Sequence, residues 1–440
     1  MLDVLRHRIY RHLFAAQVIA LLGTGLATVA LGLLAFDLAG QDAGVVLGTA
    51  LAIKMVAYVG VAPVASALAQ SLPRRAVLVG LDLVRAAVAL ALPFVDQVWQ
   101  IYVLIFVLQA ASAAFTPTFQ ATIPDVLPDE RDYTKALSLS RLAYDLESLL
   151  SPMLAAALLT VIGFHELFAS TVLGFVASAL LVVSVLLPAS PATERRGIYD
   201  RTTRGLRIYL ATPRLRGLLA ISAAVAAAGS MVFVNTVVLV QAQWGLPQNA
   251  LALALAAFGA GSMVAALGLP RLLDRWPDRP VMLGGVALLS GAMLLGSLVW
   301  GYAGLLPLWF LTGLAYSTAQ TPSGRLLRRS SHAEDRPALF AAQFALSHAC
   351  WLVFYPLAGW AGSRWGMPAT FALLGVSAAL AWLLALRLWP REDPDVLEHE
   401  HAGLAPDHPH LREGHGAAGS RHAHPFWIDD HHTDWPRAGR

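Results

Sequence analysis

The sequence predicts an all-α membrane protein, with twelve transmembrane helices in two six-helix, pseudo-symmetric halves. Three observations carry that prediction. Of the 440 residues, 57% are hydrophobic and only 13% charged, against about 25% charged in an ordinary soluble domain. Tracts of about 20 mostly apolar residues, long enough to cross a bilayer, recur along the whole chain. The second half also repeats features of the first at a spacing of about 204 residues.

Taken in order, the amino-terminal stretch MLDVLRHRIYRHLF has the basic flank of a signal peptide. Its apolar run continues to Phe36, too long for a cleaved segment, and so predicts an uncleaved first span. The twelve predicted spans are Leu13–Phe36, Val45–Ala69, Ala76–Val95, Val98–Phe119, Ala136–Ile162, Leu167–Pro188, Leu215–Val240, Ala250–Leu269, Val281–Trp300, Leu305–Pro322, Ala338–Ser363 and Pro368–Trp389. They divide the chain into an N-terminal six-helix bundle (1–188), a linker (189–213), a C-terminal six-helix bundle (214–389) and a polar tail (390–440).

The basic residues set the orientation. Arg74, Arg75, Arg131, Lys135, the linker arginines 195, 196, 201, 204 and 207, then Arg271, Arg275, Arg279, Arg325, Arg328, Arg329 and Arg336 all fall on one side of the predicted topology, and only Arg364 on the other. Positive loops stay in the cytoplasm, so both termini and the linker are expected there. The net charge of +3 and pI near 9.1 thus report topology, and no nucleic-acid partner is implied. The single cysteine excludes a disulfide framework.

The internal repeat aligns LAQSLPRRAVLVG from Leu68 with LLDRWPDRPVMLG from Leu272. Pro73 answers Pro277, Arg75 answers Arg279, Gly80 answers Gly284, Glu130-Arg131 answers Asp335-Arg336, and Pro152 answers Pro356. Parallel halves related by an axis along the membrane normal are a transporter architecture, with the substrate path between them.

The fifth span is the most informative stretch. Lys135 to Pro152 carries Arg141, Asp145 and Glu147 into an apolar setting, where a charge at the bilayer centre costs roughly 2.5–3.5 kcal/mol. Arg141, Asp145, Ser148 and Pro152 share one helical stripe; Ser140, Tyr144, Glu147 and Ser151 form a second, about a quarter-turn away. Two readings stay open. Arg141 and Asp145 neutralise each other to hold helices together, or this polar face handles protons and cargo, with Arg141 modulating the two acids.

The tail holds nine of the fourteen histidines: His399, His401, His408, His410, His415, His422, His424, His431 and His432, interspersed with acids. Imidazole suits nickel, zinc, copper and iron, so the composition predicts metal binding by a disordered segment, against the plainer reading of a solvated, proton-buffering tail.

The loop after the second span, Ser66-x-Leu68-Ala69-Gln70-Ser71-x-x-Arg74-Arg75, resembles the signature Gly-x-Leu-Ala-Asp-Arg-x-x-Arg-Arg of the major facilitator superfamily. The second-half copy, Gly268 to Arg279, is closer and keeps Asp274-Arg275 and Arg279. Asp82 and Arg85 on the third span fit the family pattern, and Ser151-Pro152 stands where the antiporter motif has Gly-Pro. The resemblance covers Arg6 to Trp389 and implies the major facilitator fold, alternating access, and gating by the loops bearing Arg74, Arg75, Asp274, Arg275 and Arg279. Within the superfamily the chain resembles a branch of bacterial exporters that includes macrolide efflux pumps, siderophore exporters and nickel-resistance permeases with histidine-rich tails. That resemblance, and not the histidine spacing, brings in nickel.

Lys54, in the second span, either snorkels to an interface or pairs with a carboxylate such as Asp37 or Asp145. His348, beside Cys350 in the eleventh span, is a further candidate metal ligand, although a histidine hydrogen-bonded in a helix bundle is commoner. Gln109, Ser112, Thr116, Asn235, Thr318, Gln320 and Thr321 either line the cavity or satisfy backbone. No nucleotide-binding glycine loop, zinc-protease motif or nucleophile elbow occurs, so no enzyme is expected. The sequence therefore predicts a secondary exporter of a divalent cation, nickel, in exchange for protons. Its coupling residues are Arg141, Asp145, Glu147, Lys54, Asp82 and Arg85. No permanent cofactor and no obligatory protein partner are expected; the bilayer, protons and the metal ion, as cargo or tail ligand, are its partners. Efflux of a drug or siderophore, and a metal sensor on a transporter scaffold, remain as alternatives.

Overall fold

The computed structural model describes residues 2–39, 43–69, 72–188, 197–298, 301–394, 396–400, 415–418 and 421–436. Almost all of it is helix. The first half comprises α1 (Arg8–Ala39), α2 (Ala43–Ala69), α3 (Arg74–Ala91), α4 (Val98–Val126), α5 (Glu130–Leu158) and α6 (Phe164–Val183). The second comprises α8 (Pro213–Val237), which runs into a π-helical turn over Val238–Gln243, then α9 (Gln248–Leu273), α10 (Asp278–Gly296), α11 (Tyr302–Gln320) and the long α13 (Arg336–Leu388). Gly366, at φ 77, breaks α13 into two arms. Only glycine adopts that backbone freely, so one continuous element supplies the eleventh and twelfth spans. Nine helices among the described residues are long and apolar enough to cross a membrane on their own. With α5, whose charges lower its hydropathy, with α11, and with α13 counted as two arms, the bundle has twelve.

Composition explains where the core lies. Leu180, Leu294 and Leu380 point outward, 64%, 40% and 61% exposed, as expected of a surface solvated by lipid. Inside, small residues let helices approach closely. A Cβ on Gly261 would run into the Phe310 carbonyl, and one on Gly313 into the Phe258 carbonyl, so α9 and α11 meet backbone to backbone through a reciprocal glycine pair. In the first half α1 packs on α5 and α6, α2 on α4, and α3 on α4 and α6; in the second, α13 lies on α8 and α10, and α11 on α9 and α10. The halves meet where α5 packs on α9, and where α13 packs on α2 and α4.

Two segments differ from expectation. The linker carries an amphipathic helix, α7 (Ile198–Ala211), lying on α13 and α2; its polar composition hid a stripe that buries Ile208 and Tyr209. The short α12 (Ser323–Arg329) follows α11. The tail, expected to be disordered, contains three antiparallel strands in the order β1 (Val396–Glu400), β3 (Arg421–Pro425), β2 (His415–Ala418). Its apolar residues supply the reason: Phe426 and Ile428 are buried, and Trp427 Nε1 donates to the Arg329 carbonyl at 3.0 Å. His401, His408 and His410 lie outside the described residues, as do the side chains of His415 and His422.

Candidate functional site

The two stripes of α5 face different partners. Arg141 pairs with Asp145 one turn on, donates from Nε to Ser262 Oγ of α9 at 3.0 Å, and lies over the Tyr316 ring of α11, 4.8 Å from its centroid. Asp145 is only 3% exposed. The first stripe therefore reaches across to the second half. The other stripe turns to α1: Ser140 Oγ donates to Gln17 Oε1 at 3.0 Å, and Glu147 and Ser151 pack on Gly25. A Cβ built there would sit 2.7 Å from Glu147 Oε1 and would collide with Ser151. The glycine missing from the Ser151-Pro152 motif is thus replaced, for packing purposes, by one on the neighbouring helix. Sequence reasoning missed Gly25 because only the fold brings α1 and α5 together.

Glu147 makes no ion pair among the described residues, but Lys54 of α2 lies within electrostatic range of it. Lys54 also has no such pair: its Nζ sits 5.5 Å from the Tyr58 ring centroid. Neither Asp37, which is exposed, nor Asp145, which Arg141 holds, is its partner. Tyr58 in turn packs on Phe344 and His348 of α13, at 4.9 and 4.7 Å. Near the junction of the halves the chain therefore gathers a carboxylate, an ammonium, an imidazole and aromatic rings. His348 donates Nδ1–H to the Phe344 carbonyl at 2.7 Å, the ordinary role of a helix-bundle histidine, and no trio of candidate metal ligands forms around it among the described residues.

Asp82 and Arg85 form a second buried pair, within the first half. Ser178 donates to Asp82 at 2.8 Å, and the Arg85 guanidinium lies 4.0 and 4.6 Å from the Phe115 and Phe175 rings. The pair ties α3, α4 and α6 together. Of the other candidates, Gln109 and Ser112 line a cavity in the first half with Thr24 and Thr28, and Gln320 lines one in the second with Gln343 and Trp351. Asn235 and Thr318 bond to carbonyls instead, those of Ala358 and Leu314.

At the arginine-rich end the halves are closed onto one another. Asp125 of α4 takes both Arg74 and, from the second half, Arg336. Arg325 joins Glu130 and Thr134 across the halves to Asp278 within its own; Arg131 approaches Asp274 at 3.6 Å, largely exposed. The repeat-matched dipeptides Glu130-Arg131 and Asp335-Arg336 both fall in this closure. Of the predicted gating residues, Arg74 and Asp274 are in it, Arg279 instead donates to the Trp389 carbonyl at 3.1 Å, and Arg75 and Arg275 make no ion pair among the described residues.

The tail docks at the same end. His432 Nδ1 donates to Asp429 at 2.8 Å, its Nε2 lies 2.9 Å from His399 Nε2, and one ring nitrogen each of His399, His424 and His432 fall within 4.8 Å of one another. Asp429 also approaches His332 at 3.5 Å. Burial pushes its carboxyl up, but the hydrogen bonds from His332 and His432 outweigh that and hold it well below the usual carboxylate range. Asp430 accepts from Arg204 at 2.8 Å, and Arg204 also clamps Asp335.

Two six-helix halves of one chain, meeting around interior charges and joined at one end by crossing ion pairs, have the architecture of a two-repeat membrane transporter. The family model described as the Major Facilitator Superfamily matches residues 13–218 and 218–425, and the chain belongs to that family. Macrolide efflux protein A of Streptococcus pyogenes is 25% identical over 181 residues, 40% of this chain and 44% of that protein, so the match spans less than half of the relative's length. The MFS-type transporter YfiS of Bacillus subtilis is 23% identical over 346 residues, 75% of this chain and 81% of that protein. Among solved structures, the human organic anion transporter MFSD10 superposes with a TM-score of 0.74 at 14% identity, covering 86% of this chain and 99% of that one. A bacterial homologue of the iron transporter ferroportin, in an outward-facing state, gives 0.69 at 16% identity, covering 86% and 98%.

Proposed function

We propose that this chain is a proton-coupled exporter of an organic solute, with Glu147 as the group that exchanges the proton. The observation that carries this reading is the position of Glu147: an interior carboxylate near the junction of the halves, in the field of Lys54 and without an ion pair among the described residues. A carboxylate locked in a close pair resists protonation, whereas one that faces an ammonium without closing a pair can gain and lose a proton as the halves rock. Arg141 bridges to the second half in the closed arrangement and ties the state of Asp145 to that closure. The basic end is read as cytoplasmic, in a bacterial inner membrane, so this arrangement is closed toward the cytoplasm. The names of the macrolide efflux relatives and the aromatic rings of Tyr58 and Phe344 favour an organic cargo.

A second reading keeps nickel or another divalent cation as the cargo. The converging imidazoles of the tail and the resemblance to nickel-resistance permeases favour it. The interior favours it less: Lys54 and Arg141 are cationic, and no trio of metal ligands occurs among the described residues of the spans.

Both readings are tested by tolerance to erythromycin and to nickel in an efflux-deficient host carrying the full chain, Glu147→Gln, or empty vector. The proposal expects erythromycin tolerance that Glu147→Gln removes. Nickel tolerance without macrolide tolerance would transfer the proposal to the cation. No difference from empty vector with either compound, at confirmed expression, would remove both.

A further inference from the structure

We propose that His399, His424 and His432 form a binding site for a divalent transition metal, and that filling it fastens the tail onto the sealed basic end of the bundle. This goes beyond transport and holds whatever the cargo is. Hydrogen-bond chemistry supplies the first argument. His399 Nδ1 faces the Leu397 carbonyl at 3.1 Å, His424 Nδ1 the Pro425 carbonyl at 2.7 Å, and His432 Nδ1 the Asp429 carboxylate at 2.8 Å. A carbonyl or carboxylate oxygen only accepts, so each ring must place its proton on Nδ1. In neutral rings all three Nε2 atoms then present lone pairs. His399 Nε2 and His432 Nε2 lie 2.9 Å apart, a hydrogen-bond distance that a proton shared by the two rings satisfies and that a metal ion would open as it replaced the proton. Three nitrogens bound at about 2.1 Å around a tetrahedral ion lie roughly 3.4 Å apart, inside the 4.8 Å spread seen here.

The second argument is the surrounding shell. Histidine ligands characteristically donate their other N–H to a carboxylate or carbonyl, which fixes the tautomer and raises ligand basicity. All three rings already do so. The partial burial of the cluster, with His432 only 4% exposed and Phe426 against it, adds rigidity that a solvated run of histidines lacks. Three protein nitrogens leave a fourth position for water or another donor.

The third argument concerns consequence. Asp429, which orients His432, also holds His332 in the loop between α12 and α13. The next residue, Asp430, holds Arg204, which clamps Asp335, and the adjacent Arg336 binds Asp125 of the first half. A metal ion that ties β1, β3 and residue 432 together therefore stabilises a segment bonded to α7 and to the loop that seals the halves. By linkage, an ion that binds this docked form better than the undocked one shifts the population toward closure.

The test uses the full chain in detergent, without any gradient, so that it can fail independently of the transport reading. Nickel and zinc are titrated calorimetrically into wild type, His399→Ala, His424→Ala, Asp429→Asn, and a control with His408 and His410 both replaced by alanine. One ion per chain is expected to bind with highest affinity in wild type and the control. The affinity falls at least about a hundredfold in the two ligand variants and about 10–100-fold in Asp429→Asn. Cobalt-loaded His424→Cys should show a thiolate charge-transfer band, which keeps the site testable if an alanine variant misfolds. Metal should also lower amide exchange in residues 197–211 and 330–335 of wild type but not of His424→Ala. Absence of high-affinity binding, or its loss only in the His408/His410 control, overturns the site. Binding that leaves exchange in those two segments unchanged overturns the coupling.

Discussion

Removing Arg141 alone is expected to be far more damaging than removing both it and Asp145. Asp145 is 3% exposed and its partner guanidinium also engages Ser262 and the Tyr316 ring. Replacing Arg141 by methionine strands a carboxylate, at a cost of about 3–5 kcal/mol, whereas replacing a whole buried pair by apolar residues of similar volume is often neutral or stabilising. In the cycle Arg141→Met, Asp145→Leu and the double variant, each single change should lose about 3–5 kcal/mol and the double little of it. For a six-helix unit of this size that corresponds to a fall in Tm on the order of 6–20 °C for the single change, largely recovered in the double. Thermal unfolding in detergent provides the stability readout, and proton-driven uptake into everted vesicles the functional one. A double variant that is stable but does not transport assigns the pair to the transport machinery; one that is stable and transports leaves it a packing device. Single variants that melt with wild type, or a double that loses the sum of both, would refute the argument that these charges are coupled in a buried site.

Three further outcomes are expected. Gly25→Ala places a methyl group against Ser151 and Glu147 and should cost about 1–3 kcal/mol through overpacking with loss of transport; adding Ser151→Gly should recover much of both, measured by melting and vesicle uptake. Arg336→Gln or Asp125→Asn should loosen the basic end, seen as faster thiol labelling of a cysteine introduced at Leu137, since the pair spans the two halves; unchanged labelling would mean the closure rests on packing alone. The Lys135 ammonium hydrogen-bonds Asp3 and holds its carboxyl below the usual range. For a depressed carboxyl pKa the anchoring is complete above the unfolded value of about 3.9 and is lost only as pH falls through the lower folded value. Residues 2–6 should therefore stay protected from amide exchange at pH 5 in wild type but not in Asp3→Asn.

Much of the architecture could be read without coordinates. The spans, the repeat and the basic side were legible because each rests on composition summed over many neighbouring residues. The site was legible in part. The two stripes of α5 followed from helical periodicity, and the structure sends them to different partners, one to α9 and α11, the other to α1. Lys54 was visible as an anomaly, but its neighbour Tyr58 was not, and neither was Gly25, because an ordinary tyrosine or glycine in an apolar tract gives no signal. Among the tail histidines, spacing suggested adjacent pairs such as His399 and His401. The cluster instead unites His399, His424 and His432, since antiparallel pairing of β1 with β3 and the docking of Phe426 bring distant residues to one place.

Insertion into lipid is a free energy accumulated along each tract of about 20 residues, so the amino-acid order alone determined which segments cross and which side carries the arginines. Which polar groups meet is a different matter. The bond from Arg336 to Asp125 joins residues 211 positions apart, and that of Arg141 to Ser262 joins residues 121 apart. Such meetings depend on how each helix is rotated and how deeply it packs, which glycine contacts and side-chain volumes settle collectively. Only the tertiary structure could decide them.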